Sequence, residues 1–340
     1  MTVRPAAPAT RDAEPEIALE AHRVELTGYC YRMLGSAADA EDAAQETMVR
    51  AWRGRERYDA GRASVRTWLF AIATNICTDM LRGRARRAIA VDLGPAARPG
   101  TPLGEPLPPG AWVTPVPDDR VIATGGDPAE VAVARETIRL AFVAALQHLP
   151  PRQRAVLILR DVLAWTAAEV AALLGTTVVS VNSALRRARA TLDQRSPAGP
   201  PGPLDAARRD LLSRYAAAFE RYDVAALVAL LHEDATTSMP PFPWWLRGPA
   251  DIARSLSHSD FCRGSRLLPT TANGRPAFGH YIPAGRVPGD PAPGPAGTPG
   301  GYRPWALIVV EPRGDRIAAL TTFLDAATDL PRFGLPAFLP

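Results

Sequence analysis

Proline sets the first limit on what this chain can fold into. Residues 91–128, which include "DLGPAARPGTPLGEPLPPGAWVTPVPDD", carry proline or glycine every few positions. Proline has no N–H to donate and its ring obstructs the preceding helical turn, while glycine loses the most backbone freedom on ordering. Neither a helix nor a sheet ladder runs through such a stretch, so it reads as an extended linker. A shorter break, "RSPAGPPGP", stands at residues 195–203. The two breaks divide the 340 residues into a disordered tail at 1–15, a proline-free helical block at 16–90, a second helical block at 129–194, a third block at 204–330 and a tail at 331–340. Two or three domains is what this length leads one to expect.

The second helical block contains "AWTAAEVAALLGTTVVSVNSALRRARATL". Thr166 followed three residues later by Glu169 is a capping box. Val170, Leu173 and Leu174 give a short apolar face, and Gly175 suits a left-handed turn. Beyond it, Val178, Val181, Leu185, Ala188 and Leu192 recur at three and four residues, which predicts one buried stripe. The opposite side carries Ser180, Asn182, Ser183, Arg186 and Arg187. Two short helices about a tight turn, with small polar residues ahead of arginines, suit a helix read into a DNA major groove; an ordinary helical hairpin with a solvated face is the alternative.

The first block carries charges of both signs on separate stretches. "SAADAEDAAQETMVRAW" has four acids between Asp39 and Glu46 and no base. From Arg62 to Ala90 there are six arginines against one acid, a local net of +5. In that stretch Val65, Leu69, Ile72, Ile76 and Met80 lie at helical spacing, with Arg66, Asn75, Asp79, Arg82 and Arg86 on the polar side. Each charged face fits a solvated surface. A basic run ending in "RGRARR" also fits a nucleic-acid contact, where each neutralised phosphate releases counterions. The whole chain has a formal charge of only +4, so its distribution matters more than its sum. All 39 basic residues are arginine, which with abundant Ala and Pro suggests a GC-rich genome.

"DAEDAAQETMVRAW", "VRTWLFAIATNICTDMLR" and "LQHLPPRQRAVLILRDVLAWTAAEVAALLGTTVVSVNSALRRARATL" resemble, in order, the extracytoplasmic-function sigma factors of the sigma-70 family. The resemblance implies two all-α domains, sigma region 2 at 16–90 and the helix-turn-helix sigma region 4 at 129–194. It implies RNA polymerase core enzyme and promoter DNA as partners. On this resemblance Asp42, Gln45 and Glu46 dock on the polymerase, and Arg66, Asn75, Asp79, Arg82 and Arg86 form the −10-element surface. Val179, Ser180, Ser183 and Arg187 then read the −35 element, with Arg186 on phosphate. Trp68 lies on the apolar stripe and is expected in the core rather than against a base.

The third block begins with an amphipathic helix, Leu211, Leu212, Tyr215 and Phe219 inward. A short helix, a strand and another helix at "RGPADIARSL" follow. "SRLLPTTANGRPAFGHYI", "PWALIVVEP" and "RIAALTTFLD" read as strands, the last two joined by a turn at Arg313-Gly314-Asp315. This α+β order is similar to the SnoaL-like, ketosteroid-isomerase-type cone fold, which implies a pocket. His232, Trp244, Trp245, His280, Tyr302 and Asp325 are its candidate lining. The Pro- and Gly-rich insert at 283–303 is expected to be a mobile loop, and the tail "DLPRFGLPAFLP" either a docking segment or a cover for the open edge of the cone. The leading reading is a transcription initiation factor, not an enzyme, with the third domain regulating in cis. The alternative is a bifunctional protein whose third domain is an isomerase- or cyclase-type enzyme or a small-molecule sensor. Three scattered cysteines without a CxxC pair fit a reducing cytosol and no metal site. The absence of an apolar run of membrane length, and of a signal-peptide core near Met1, leads to the expectation of a soluble cytoplasmic protein. No cofactor is expected, and the sequence carries no sign of a particular anti-sigma factor.

Overall fold

The computed structural model describes residues 19–123, 127–193, 205–286 and 301–340. The expectations for residues 1–15 and 195–203, and for most of the insert at 283–303, fall outside them. The first helical block consists of α1 (Arg23–Leu34), α2 (Ala37–Gly54) and α3 (Val65–Leu81). Gly35, at φ 69°, closes α1 by donating to the Tyr31 carbonyl (2.8 Å). Ser36 and Ser64 cap α2 and α3 by accepting from the amides of Asp39 (3.2 Å) and Thr67 (3.1 Å). Each cap satisfies an amide that the helix itself leaves free.

After a one-turn helix, α4 (Asp118–Val121), come α5 (Pro128–Thr137), α6 (Leu140–Leu146), α7 (Pro151–Leu157), α8 (Ala167–Leu173) and α9 (Val178–Asp193). A π turn at Ile158–Val162 extends α7. The two helical blocks share one core, which runs without a break from Leu26 and Phe70 through Leu146 and Trp165 to Leu192. Two buried arginines cross the seam between them. Arg32 donates to Gly28 O (2.8 Å) and to Thr137 Oγ1 (2.9 Å). Arg154 donates to Met33 O, to Gln147 Oε1 (2.7 Å) and to Leu149 O (3.1 Å). Among the described residues neither makes an ion pair, and burial lowers both to about 10. Carbonyl and hydroxyl oxygens therefore hold these charges, and loss of Arg154 would take this donor from the Met33 carbonyl at the end of α1.

The third block starts with α10 (Ala206–Glu220) and α11 (Val224–Ala229), and α12 (Pro249–Ser257) comes later. Its strands are β1 (Leu231–Ser238), β2 (Trp245–Arg247), β3 (Arg266–Ala272), β4 (Arg275–Pro283), β5 (Tyr302–Arg313) and β6 (Arg316–Phe323). They form one sheet in the order β2-β1-β6-β5-β4-β3, antiparallel throughout except for the β1–β6 pair. The stretch read as one strand, "SRLLPTTANGRPAFGHYI", is a hairpin. Asn273 (φ 56°) and Gly274 (φ 67°) turn it, as a two-residue Asn-Gly loop does.

Strand alternation gives the sheet two apolar faces. Phe278, Ile308 and Val310 pack under α10 with Leu211, Tyr215 and Phe219. Tyr281, Leu307, Val309 and Phe323 face the other way and are covered by Leu330, Phe333 and Leu335 of the C-terminal segment. Leu339 pairs with Tyr302 through two backbone hydrogen bonds of 2.8 and 2.9 Å. The tail thus lies along the sheet.

Apart from the one-turn α4, most of the proline-rich segment has neither helix nor strand, and it is not a free spacer. The indole N–H groups of Trp112, Trp244 and Trp245 donate to Pro241 O (2.9 Å), Thr101 O (3.1 Å) and Gly94 O (3.0 Å). The Ala97 and Leu107 amides donate to Trp245 O (2.8 Å) and Pro241 O (2.9 Å). The third domain thus satisfies part of the segment's backbone, beside short turns of its own and bonds to the first helical block such as Val113 N to Ala88 O (3.1 Å).

Candidate polymerase and promoter interfaces

On α2, Asp42, Gln45 and Glu46 are spaced by three and four residues and share one side. Asp42 and Gln45 are exposed and Glu46 is half-buried. Arg23 Nη1 donates to Gln45 Oε1 (3.0 Å), and Glu46 pairs with Arg50 (2.7 Å). Asp39, of the same acidic run, is committed inward to Arg84 (2.7 Å) and Arg87 (2.9 Å). Glu41 holds Arg332 of the C-terminal segment.

The five −10 candidates do not lie together on one free surface. Asn75, Asp79 and Arg82 are exposed at the end of α3, where Asp79 and Arg82 pair at 3.0 Å. Arg66 instead turns toward the second helical block. It pairs with Glu25 and stacks over Trp165, 4.8 Å from the ring centre. Arg86 is held against His148 of that block, and His148 also faces Asp92 at 3.7 Å. The reason is packing: Phe70 and Trp165 meet at 5.3 Å, so this side of α3 is a contact rather than an open face. Trp68 is partly buried and stacks on Tyr58 at 5.0 Å, in the core as expected.

The −35 candidates fare differently. Thr166 and Glu169 form the capping box, and Gly175 turns at φ 57° into α9. Val181, Leu185, Ala188 and Leu192 make the buried stripe, whereas Val178 is 42% exposed in the first turn, before the stripe meets its neighbours. Val179 is 74% exposed, Ser180, Arg186 and Arg187 are exposed, and Ser183 is half-buried. Thr177 caps the helix by accepting from the Ser180 amide (3.2 Å) and also meets the Ser180 hydroxyl (3.0 Å). Arg189 is braced by both oxygens of Asp161 at 2.7 and 2.8 Å. The first turn of α9 therefore offers a methyl-bearing and hydroxyl-bearing surface, and just beyond it Arg186 and Arg187 make no ion pair among the described residues.

The six pocket candidates do not converge. Trp244 and Trp245 hold the proline-rich segment, Tyr302 pairs with the tail, and His232 edges a shallow recess beside Arg316. His280 is 2% exposed under α10, edge-on to Phe219 at 5.1 Å, and burial pushes it down to about 3. Burial raises the Asp325 carboxyl. On the helix side of the sheet Phe278, Ile308 and Val310 pack with Leu211, Tyr215 and Phe219 of α10. Among the described residues no three His, Cys, Asp or Glu side chains stand close enough to hold a metal ion.

The residue that sequence reading missed is Asn273, fully buried where all three blocks meet. Its amide donates to Val116 O (3.0 Å) and its Oδ1 accepts from Val116 N (3.0 Å). Its Nδ2 donates to Tyr31 Oη (2.6 Å) and to Ile138 O (2.8 Å). The Gly274 amide donates to Asp118 Oδ1 (2.7 Å), and a Cβ on Gly274 would stand 2.5 Å from the Arg135 carbonyl. Next to it, Arg275 joins Glu136 (3.0 Å) and Glu311 (3.1 Å), and Glu311 also takes Arg139 (2.7 Å). The Asn-Gly pair was the available signal; only its destination was not.

Two family models match the chain. Residues 18–87 match sigma-70 region 2 and residues 139–192 match sigma-70 region 4. The chain is 44% identical to the ECF RNA polymerase sigma factor SigG of Mycobacterium tuberculosis over 93% of its own length and 82% of that protein. It is 34% identical to SigJ of the same organism over 64% of this chain and 62% of SigJ. The crystal structure of Mycobacterium tuberculosis SigJ superposes with a TM-score of 0.56 at 25% identity, covering 91% of this chain and 95% of that one. Two helical sigma domains, with 44% identity to a sigma factor over most of the chain, make this chain, with its α+β third domain, a member of the extracytoplasmic-function sigma factors, which direct RNA polymerase to promoters and start transcription.

Proposed function

We propose that the third domain regulates this sigma factor in cis by holding regions 2 and 4 against each other. Asn273 carries the reading: one side chain of the third domain bonds Tyr31 of region 2, Val116 of the connecting segment and Ile138 at the entry to region 4. Elements named −10 and −35 lie about 25 base pairs apart, on the order of 85 Å along B-DNA at a turn of about 34–36 Å per 10–10.5 pairs. Phe70 of α3 touches Trp165, just ahead of α8, so the two regions must part before both elements are engaged. In the parted form Asp42, Gln45 and Glu46 dock on the core enzyme. Asn75, Asp79 and Arg82 meet the −10 strand, joined by Arg66 and Arg86 once these leave Trp165 and His148. Val179, Ser180, Ser183 and Arg187 read the −35 element and Arg186 takes a phosphate. The protein acts in the cytoplasm and the third domain contributes no catalytic step; the packing around His280 supports this over the enzyme reading. Among the described residues no single helix is long and apolar enough to cross a membrane.

The test is promoter-dependent transcription with core polymerase. Asn273→Gly keeps the turn's backbone conformation and removes the three side-chain bonds to Tyr31, Ile138 and Val116. Several-fold higher activity than the parent is expected. Equal activity overturns the reading.

A further inference from the structure

A cavity of about 710 Å³ lies between the sheet and region 4, a size suited to a small organic molecule. It opens on the sheet face turned away from α10, so it is not the interior of the cone. Four parts of the chain wall it: residues 89–92, α6 with its flanks from Arg139 to His148, Arg208 near the start of α10, and the sheet through Thr236, Ser238, Val309 and Thr321. Its apolar lining is Leu140, Ala144, Ala145, Trp245 and Val309. Its charged lining is Arg139, Arg208, Arg247, Arg275 and Arg313 with Asp92, Asp234 and Glu311, five positive groups to three negative, a net of +2 among the lining residues. Arg139 and Arg275 are already engaged by Glu136 and Glu311. Arg247 and Arg313 are exposed at the rim and make no ion pair among the described residues.

The geometry points to a binding site for an amphipathic organic anion, a carboxylate on an apolar body, that acts as a co-inhibitor. The head group lies at Arg247 and Arg313, and the body lies against Trp245, Leu140 and the alanines of α6. Burial of that body supplies affinity, and the net positive rim selects the anion. The inhibitory sign rests on the closed arrangement proposed above. The walls come from both region 4 and the third domain, so the cavity exists only while they are in contact. A ligand that binds one form alone shifts the population to it. At one hundred times its dissociation constant it raises the closed-to-open ratio about a hundredfold. Arg275 follows Gly274 directly and Arg139 follows Ile138, so an occupant also braces the two backbones that Asn273 joins.

Decanoate is the probe, with decanol and acetate as its neutral and small-anion counterparts, titrated calorimetrically into the full chain and into the double variant Arg247→Glu/Arg313→Glu. Decanoate is expected to bind at one site, with decanol and acetate at least tenfold weaker. The double variant should lose at least tenfold in decanoate affinity while its melting temperature without ligand stays that of the parent. Should it melt early, Arg247→Ala and Arg313→Ala singly carry the same comparison. Decanoate should also lower promoter-dependent transcription by the parent and not by the variant. The site is overturned if decanoate does not bind, binds the variants as tightly, or binds no better than decanol; the co-inhibitor role is overturned if bound decanoate leaves transcription unchanged or raises it. Variant-sensitive decanoate binding together with an inert Asn273→Gly change would sink the closed-state reading and leave the site standing. Activation by Asn273→Gly without decanoate binding would do the reverse.

Discussion

Arg186 and Arg187 are neighbours on α9, both exposed, and should behave differently on DNA. Arg187→Ala is expected to cost about 1–3 kcal/mol and relax preference at one upstream position, as loss of a base contact does. Arg186→Ala should weaken binding evenly across sequences and reduce its salt dependence, as loss of a phosphate contact does. A promoter selection that returns the same preferences for parent and Arg187→Ala would remove the base contact. On α2, reversing Asp42 and Glu46 to lysine should weaken capture of core polymerase. The fold should lose about half a kcal/mol or less, since the exposed Glu46–Arg50 pair contributes little. Unchanged affinity for the core enzyme would exclude the docking assignment. His280 makes a prediction about acid. Burial lowers it from 6.5 to about 3, so between those values the unfolded chain takes up a proton that the folded chain refuses. The stability it contributes is present above pH 6.5 and is lost as the pH falls toward 3. His280→Leu should therefore flatten the drop in melting temperature between pH 7 and 5; parallel curves would contradict this.

Local elements were legible where local chemistry decides them. The Thr166–Glu169 capping box and the stripe of α9 follow from spacing alone, and the structure contains both. The hairpin between β3 and β4 was missed although Asn-Gly is its usual signal, because alternation on both sides read as one strand. Strand β2 is three residues long, too short to show a period. The pocket candidates were chosen by residue type, and type does not say which sheet face a strand residue takes. His280 went under α10, while Trp245, opposite Ser238 on β1, went to the other face. Arg66 and Arg86 read as DNA contacts because a helix's charged side looks the same whether water, phosphate or another domain covers it. The hairpin also yields a test of its own. Gly274→Ala places a methyl against the Arg135 carbonyl at a positive φ, so the turn must withdraw from the joint. Amide exchange should speed up in α1 and α5 and stay unchanged in α10. Unchanged exchange in α1 and α5 would mean that the turn does not hold them.

Across the whole molecule, the regulatory reading predicts how shortened chains behave. Ending the chain after residue 195 removes the third domain, and ending it after residue 326 strips Leu330, Phe333 and Leu335 from the sheet. Transcription from a cognate promoter should differ several-fold among these two and the full chain. Equal activity from all three would make the third domain a passenger. The proline-rich segment acquires a second meaning here. While Trp112, Trp244 and Trp245 take part in its indole hydrogen bonds, it is held against the third domain. Freed of them, residues 91–128 extend at about 3.3 Å per residue to a contour length on the order of 125 Å, longer than the roughly 85 Å between the promoter elements. On the proposed regulation in cis, the third domain works as a spool: it stores the tether that the open factor pays out along the DNA, with slack to tolerate more than one spacer length.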